Sequence, residues 1–432
     1  MKKPREFAWM LLLAAVAAAG ASAQINLPSL PLPPLPTVND PLAGTLRTAG
    51  VGARMELRKL RIRELLRTER EGVEADPDGQ PIVRSQIGAL SPTPEALALA
   101  SDAGFTIVSE QTLSELDLRM VVLRVPKGMS TRKALRRLRA LDPGGIYDYN
   151  HLYLESGAVL ESTHDPEAAA APLPAVSQVR ATTMRIGLID TGIDNAHPAL
   201  AGAQIHRFGC DGTLFPQAHG TAVASLLVGE ATDFHGALPG AELYAADVFC
   251  GHGGGSIALL SVALDWMARE QIGVVNISLV GAKSILLTQL VRVMGQRGHL
   301  MVAAVGNDGP AAPPLYPAAY PEVVGVTGVD AKNHVLPEAC RGPHVAFAAP
   351  GADMRAAAPG GGWSDVRGTS FAAPIVAGLL AASLAEPNPE QARQALERLT
   401  GIAVDLGPKG VDTTYGKGLV GASLRVPPKP EN

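Results

Sequence analysis

The sequence predicts an α/β protein built on a mainly parallel sheet with helices on both faces, preceded by a small α+β unit. Two observations carry this. From Met184 onward, short runs rich in Val, Ile and Ala ("RIGLID", "AELYAADVF", "GVVNISLV", "HLMVAAVG", "VVGVTGV", "VAFAAPG") alternate with segments that read as helices. Such near-continuous apolar strands are those of a parallel sheet buried on both sides. Upstream, residues 90–155 carry two helical patterns among amphipathic strands, the order of two helices lying on one face of an antiparallel sheet.

Composition bounds the rest. The chain has 432 residues, of which 47% are hydrophobic and 18% charged, with 46 Gly. That suffices for two domains and a large core. The formal net charge is −4, and no long run of one sign occurs, so a nucleic-acid-binding role is excluded.

Taken in order, residues 1–23 read as a signal peptide. Lys2, Lys3 and Arg5 precede an apolar run from Phe7 to Ala19, and Ala21-Ser22-Ala23 offers an A-x-A cleavage site. The run is short for a bilayer span of about 20 residues. Gln24 stands where a lipid-anchored start needs Cys. The expected product is exported, periplasmic or extracellular, with no stable membrane anchor after signal removal. It has only Cys210, Cys250 and Cys340; one pair can close and leave a thiol over, and the spacing does not choose the pair.

Residues 24–89 read as a tether and an amphipathic helical segment. "NLPSLPLPPLP" (26–36) is extended, and Leu57, Leu60 and Leu65 recur at roughly helical spacing among arginines. Within 90–155, "TPEALALASDAG" ends as a helix at Gly104, "FTIVSE" and "LRMVVLRV" are strands, Ser130 or Thr131 caps "STRKALRRLRALDP", and "IYDYNHLYL" is the last strand. Residues 156–181, rich in Ala and Pro, read as an exposed linker that holds the processing region. Residues 182–425 form the larger unit and 426–432 a tail.

Ligands of a parallel sheet gather at the carboxyl ends of its strands. There Asp190 ends "RIGLID", His219 opens "HGTAVASLLVG", Asn307 sits in "AAVGNDG", and Ser370 lies in "GTSFAAPIVAG". Each also has an ordinary structural reading: a turn former, a surface His, a loop Asn, a helix cap. Together they are the set that acyl transfer requires. A serine hydroxyl is a weak nucleophile until an imidazole takes its proton. A carboxylate orients that imidazole and stabilises its cation, and an amide with a backbone N–H holds the oxyanion.

"LIDTGIDNAHPAL", "HGTAVASLLVG" and "GTSFAAPIVAG" resemble the three signature blocks of the subtilisin-like serine proteases, the subtilases, in their chain order Asp, His, Ser. His219 follows Asp190 by 29 residues and Ser370 follows His219 by 151; the resemblance spans about 184–422. It implies Asp190 as orienter, His219 as base and acid, Ser370 as nucleophile, Asn307 and the Ser370 N–H as oxyanion donors, and a serine endopeptidase activity. Peptide substrate would lie between "GHGGGS" (Gly253, Gly254, Gly255) and Ser278, Leu279 and Val280. Ala304, Val305, Gly306 and Leu315 would border the primary pocket. Bulk at Val280 and Leu315 predicts a shallow pocket for small or medium apolar side chains. Pro374 is expected within the first turn of the serine helix.

The unit at 90–155 is similar in strand–helix order to the subtilase propeptide, which implies a zymogen whose own propeptide acts in cis as folding helper and inhibitor, with its C-terminal tail in the active site. Polypeptide substrates and a monomer are expected. No cofactor is needed for catalysis; family members often bind structural calcium, which the scattered Asp194, Asp211, Asp233 and Asp330 do not locate. Two rival readings share the fold: a silent protein-binding module, which has no need of all four residues, and an esterase, which has no need of a two-sided peptide groove.

Overall fold

A computed structural model describes residues 50–160 and 184–428. The signal peptide, the 26–36 tether, residues 161–183 of the expected linker and residues 429–432 lie outside the described residues.

The chain enters with two helices, α1 (Val51–Met55) and α2 (Leu57–Thr68). Strands β1 (Val73–Ala75) and β2 (Pro81–Leu90) follow, then helix α3 (Pro94–Asp102), β3 (Thr106–Leu113), β4 (Leu118–Arg124), helix α4 (Thr131–Leu141) and β5 (Ile146–Glu155). Thr93 caps α3 and Ser130 caps α4, each accepting an N–H of the first turn. The sheet is antiparallel in the order β5-β2-β4-β3, with β1 on β2. The unit therefore begins by residue 73, not 90, because β2 is its second strand. The sequence hides β2 because its alternation breaks: Ser85 has φ 56° and the register with β5 shifts between Ile82 and Ile87.

One face of this sheet (Ile87, Ala89, Val121, Leu123) packs on α3 and α4 through Ala100, Leu135 and Leu138. The alternate residues (Leu90, Met120, Val122) join the core of the larger unit instead. Period-two alternation thus makes one sheet serve two interfaces.

The larger unit is a seven-stranded sheet, all parallel, in the order β17-β16-β15-β13-β7-β11-β8. Its strands are β7 (Arg185–Asp190), β8 (Ile205–Phe208), β11 (Glu242–Asp247), β13 (Val274–Ile277), β15 (Leu300–Ala304), β16 (Val323–Val329) and β17 (Val345–Pro350). Helices α5 (Ala218–Val228), α8 (Thr369–Ala381) and α9 (Pro389–Ile402) cover one face; α6 (Ile257–Arg269) and α7 (Ile285–Gln296) cover the other. Ile186, Leu188, Val274 and Val302 turn to the first group, and Ile189, Val275 and Met301 to the second. Short pieces complete the unit: the hairpin β9 (Glu230–Ala231) and β10 (Phe234–His235), the edges β12 (Gly255–Ser256) and β14 (Leu279–Val280), and the hairpin β18 (Met354–Ala358) and β19 (Gly362–Arg367).

The two units are locked by charge-assisted bonds at helix positions. The Asp148 carboxylate accepts the Ile285 N–H at the start of α7 at 2.9 Å. Asp265 of α6 accepts the N–H groups of Glu115 and Leu116.

Among the described residues, no helix is long and apolar enough to cross a membrane. Cys210 and Cys250 form a disulfide between the loops after β8 and β11, leaving Cys340 buried and free. This answers the question the spacing left open. Burial pushes the Cys340 thiol up to about 12, which keeps it an unreactive thiol.

Candidate active site

The four candidate residues converge at the carboxyl edge of the parallel sheet. Asp190 is the last residue of β7 and His219 the second of α5. Asp190 Oδ1 accepts from His219 Nδ1 at 2.8 Å and from the Thr191 N–H at 2.7 Å. Thr191 Oγ1 in turn accepts the Gly220 N–H at 2.8 Å, tying the strand end to the helix that carries the histidine. Asp190 and His219 are both buried.

Burial works against the imidazolium, but the charge and hydrogen bond of Asp190, with Glu155 and the Ser156 carbonyl adding to them, outweigh it. The His219 pKa therefore stands above its ordinary value.

Ser370 is the second residue of α8 and does not cap it; the cap position is Gly368, at φ 146°. A Cβ at Gly368 would lie 2.7 Å from the Gly157 Cα, so only glycine allows that close approach. Pro374 sits inside the helix in its second turn, not its first. Proline at this position gives no N–H to the carbonyl four residues back, which belongs to Ser370. Ser278 Oγ donates to that oxygen at 3.0 Å instead, and Ser278 Oγ itself accepts from Asn276 Nδ2 at 2.9 Å.

Asn307 is oriented by the Thr369 N–H, which its Oδ1 accepts at 3.1 Å. That leaves Nδ2 facing the cleft, where it donates to Ser156 Oγ at 2.9 Å.

The cleft holds the chain's own segment. Beyond Ile146–His151, which pair with β2, strand β5 runs out between the two edge strands. Gly255 and Ser256 pair with Tyr153 and Leu152 on one side, and Leu279 and Val280 with Glu155 and Leu154 on the other, both antiparallel. Ser156 N–H donates to the Ser278 carbonyl at 3.4 Å. The Ser156 carbonyl oxygen lies 3.4 Å from His219 Nε2. The chain then continues as β6 (Ala158–Val159), which pairs with Val366 and Arg367 of β19.

Residues 156–158 are thus buried or at the edge of burial, not an exposed linker. The Ala- and Pro-rich stretch that follows gives them the composition of a linker in the sequence. The signal that could have found them is Ser-Gly-Ala at the end of an alternating strand, small residues that admit close backbone approach.

Ser370 Oγ donates to the Ser278 carbonyl at 3.3 Å, and no hydrogen bond joins it to His219. Asn307 holds the Ser156 side chain and not its carbonyl.

The expected substrate-binding positions fall as follows. Gly255, Leu279, Val280 and the Ser278 carbonyl pair with the segment. A Cβ at Gly254 would lie 3.1 Å from Leu154, and one at Gly253 would lie 3.0 Å from Leu65 of α2. Gly306, at φ 100°, has Leu315 against it, 2.5 Å from where a Cβ would stand. Ala304 and Val305 are fully buried, and Val305 N–H bonds to Val326. Tyr153 is fully buried; its hydroxyl donates to the Ala282 carbonyl at 2.9 Å, and burying such a side chain contributes on the order of 2–3 kcal/mol.

Two further features escaped the sequence. Asp247, register partner of Asp190, accepts the N–H groups of Phe249 and Cys250 at 2.9 Å each. Burial raises its pKa to about 6 against those two bonds, with the Asp190 charge adding. Arg61 of α2 reaches over the cleft segment. Among the described residues, the one set of three metal-type side chains is Cys210, Asp247 and Cys250. Two of these are tied as cystine, a poor match for the oxygen ligands calcium requires.

A family model described as the subtilase family matches residues 181–418. Subtilisin Savinase of Lederbergia lenta is 34% identical over 245 residues, covering 55% of this chain and 89% of that protein. Subtilisin E of Bacillus subtilis is 30% identical over 285 residues, covering 61% and 74%. Among solved structures, fervidolysin of Fervidobacterium pennivorans, described as a keratinolytic enzyme related to subtilisin, aligns with a TM-score of 0.65 at 20% identity. It covers 82% of this chain and 63% of its own, a likeness of fold.

Proposed function

From the premise that this chain belongs to the subtilase family and is a serine-type endopeptidase, we propose that Asp190, His219, Ser370 and Asn307 carry its chemistry and that its first substrate is its own Ser156–Gly157 bond. The observation that carries this reading is the register of residues 152–156. They are paired on both sides as an added strand, with Ser156 beside His219 and Asn307. Ester hydrolysis needs no such two-sided pairing.

In the reaction, Ser370 Oγ leaves the Ser278 carbonyl and bonds to the Ser156 carbonyl carbon while its proton passes to His219 Nε2. Asp190 stabilises the imidazolium. Asn307 Nδ2 shifts from Ser156 Oγ to the oxyanion and shares it with the Ser370 N–H. The carbon–nitrogen bond to Gly157 breaks, and His219 gives its proton to that nitrogen. Water, deprotonated by His219, then releases Ser156 as a carboxylate and frees Ser370. No cofactor takes part.

Residues 1–23 direct export, residues 50–156 act as the propeptide in cis, and the mature chain begins at Gly157 and then cleaves other polypeptides. A serine-directed phosphonate tests the chemistry. It labels Ser370 in the matured protein and fails to label Ser370→Ala; equal labelling of both proteins contradicts the assignment.

A further inference from the structure

Side chains alternate along strand β5 where it runs through the cleft. Leu152 and Leu154 face away from the larger unit and are covered by Ile62 and Leu65 of α2. Tyr153, between them, faces inward and belongs to the core of the larger unit with Leu260, Leu279 and Leu287. Counted back from the Ser156–Gly157 bond, Ser156 is the first residue and Tyr153 the fourth.

The larger unit builds the place that holds this ring. Gly255 of β12 pairs with the Tyr153 backbone. A Cβ at Gly281 would stand 2.5 Å from the Tyr153 ring, so any side chain there would take the space of the ring. At the far end the Tyr153 hydroxyl donates to the Ala282 carbonyl at 2.9 Å, and the Tyr320 hydroxyl stands next to it. Tyr320 is itself fixed: its hydroxyl donates to the Ser284 carbonyl at 2.9 Å and accepts the Ser284 N–H at 3.0 Å. Ser284 caps α7, and Tyr316 packs on Tyr320 with ring centroids 4.5 Å apart. The acceptor therefore sits in a stretch of backbone held from both sides.

Tyr153 is fully buried. A ring without the hydroxyl would leave the Ala282 carbonyl facing apolar carbon. A site that bonds a hydroxyl in this way rejects the analogue that lacks it far better than an apolar site rejects a change of size. The first residue offers no comparable hold. Ser156 is small, and its side chain meets Asn307. Of residues 152–156, Tyr153 gives the larger unit its greatest apolar contact, because the two leucines turn to α2.

We propose that the matured enzyme selects polypeptides at the fourth residue before the scissile bond, and that Gly281 and the Ala282 carbonyl make that selection for tyrosine, over phenylalanine as well as over small residues. Contacts this far from the reacting bond act by adding to transition-state binding. The counting rests on cleavage at 156–157, as proposed above; the hold on the tyrosine does not.

The test uses the matured protein and the peptide Tyr-Leu-Glu-Ser-Gly-Ala, blocked at both ends, with Phe or Ala replacing its Tyr. Mass spectrometry reads the cut between Ser and Gly. Tyr is expected to exceed Phe by roughly tenfold in kcat/KM and Ala by roughly a hundredfold. Equal rates for Tyr and Phe overturn selection by the hydroxyl, and equal rates for Tyr and Ala overturn the site altogether. Gly281→Ala, made together with Tyr153→Ala so that the chain's own segment still fits, is expected to reverse the ranking in favour of Ala; a retained tyrosine preference contradicts the role of Gly281. If the full chain is never cut at 156–157, the self-cleavage reading fails and the hold is decided in uncut Ser370→Ala. There Tyr153→Phe is expected to speed amide hydrogen exchange of residues 152–156 by roughly tenfold, with exchange in β7 and β13 unchanged. Unaltered exchange at 152–156 overturns the proposal without any need of activity.

Discussion

Ser278 Oγ donates to the Ser370 carbonyl oxygen at 3.0 Å, the acceptor that Pro374 leaves without a helical donor. A residue of the substrate edge thereby fixes the backbone of the candidate nucleophile. Ser278→Ala leaves that buried oxygen unpaired, at a cost of about 1–3 kcal/mol. Thermal unfolding of the variant in a Ser370→Ala background is expected to show this loss. The self-cleavage rate of the variant in the active chain should fall as well.

His219 must be neutral to accept the Ser370 proton, and its pKa stands above the ordinary value. Self-cleavage is therefore lost as pH falls through a midpoint above the usual imidazole value of about 6.5. Glu155 contributes to the raised value, so Glu155→Gln is expected to move the midpoint down. A pH–rate profile of the cut, read by mass, checks the direction of both effects.

Asp247 is an acid whose pKa rises on folding, to about 6. Between the unfolded carboxylate value of about 3.9 and that pH, the native state binds more protons than the unfolded one. Stability contributed by this group thus falls as pH rises through the window. Asp247→Asn is expected to flatten that part of a denaturation-versus-pH curve, and an unaltered slope contradicts the assignment.

Leu315 fills the space over Gly306, and Val280 lies in the paired edge. The matured enzyme is expected to favour small or medium apolar residues at the scissile position. Leu315→Ala should admit Phe. A peptide library in which Phe, Tyr or Leu dominates for the parent would sink the shallow-pocket account.

The Cys210–Cys250 bridge closes a separation of 40 residues. Its loss through Cys250→Ser is expected to cost about 4 kcal/mol by loop-closure entropy, read as a lowered unfolding midpoint under oxidising conditions.

The parallel strands were legible because each is apolar on both faces, and the four candidate residues because each sits inside a local motif at a strand or helix end. Strand β2 was not, since its bulge at Ser85 breaks the alternation that marks a strand. Nor was the disulfide, which depends on two strand ends meeting in space. The cleft course of residues 152–160 has no local signal, because its pairing partners, Gly255 and Leu279, are more than 90 residues away; only the likeness to a propeptide whose C-terminal tail lies in the active site implied it. The helical periodicity around Leu57 and Leu65 was readable; that it covers the cleft was not.

The most direct test of the central claim is the intact mass and N-terminal sequence of the products from the full chain and from Ser370→Ala, each expressed with export. Self-cleavage by Ser370 gives a new N-terminus at Gly157 in the parent and an intact 156–157 bond in the variant. A parent left whole, a first cut elsewhere, or the same cut in both proteins would contradict it.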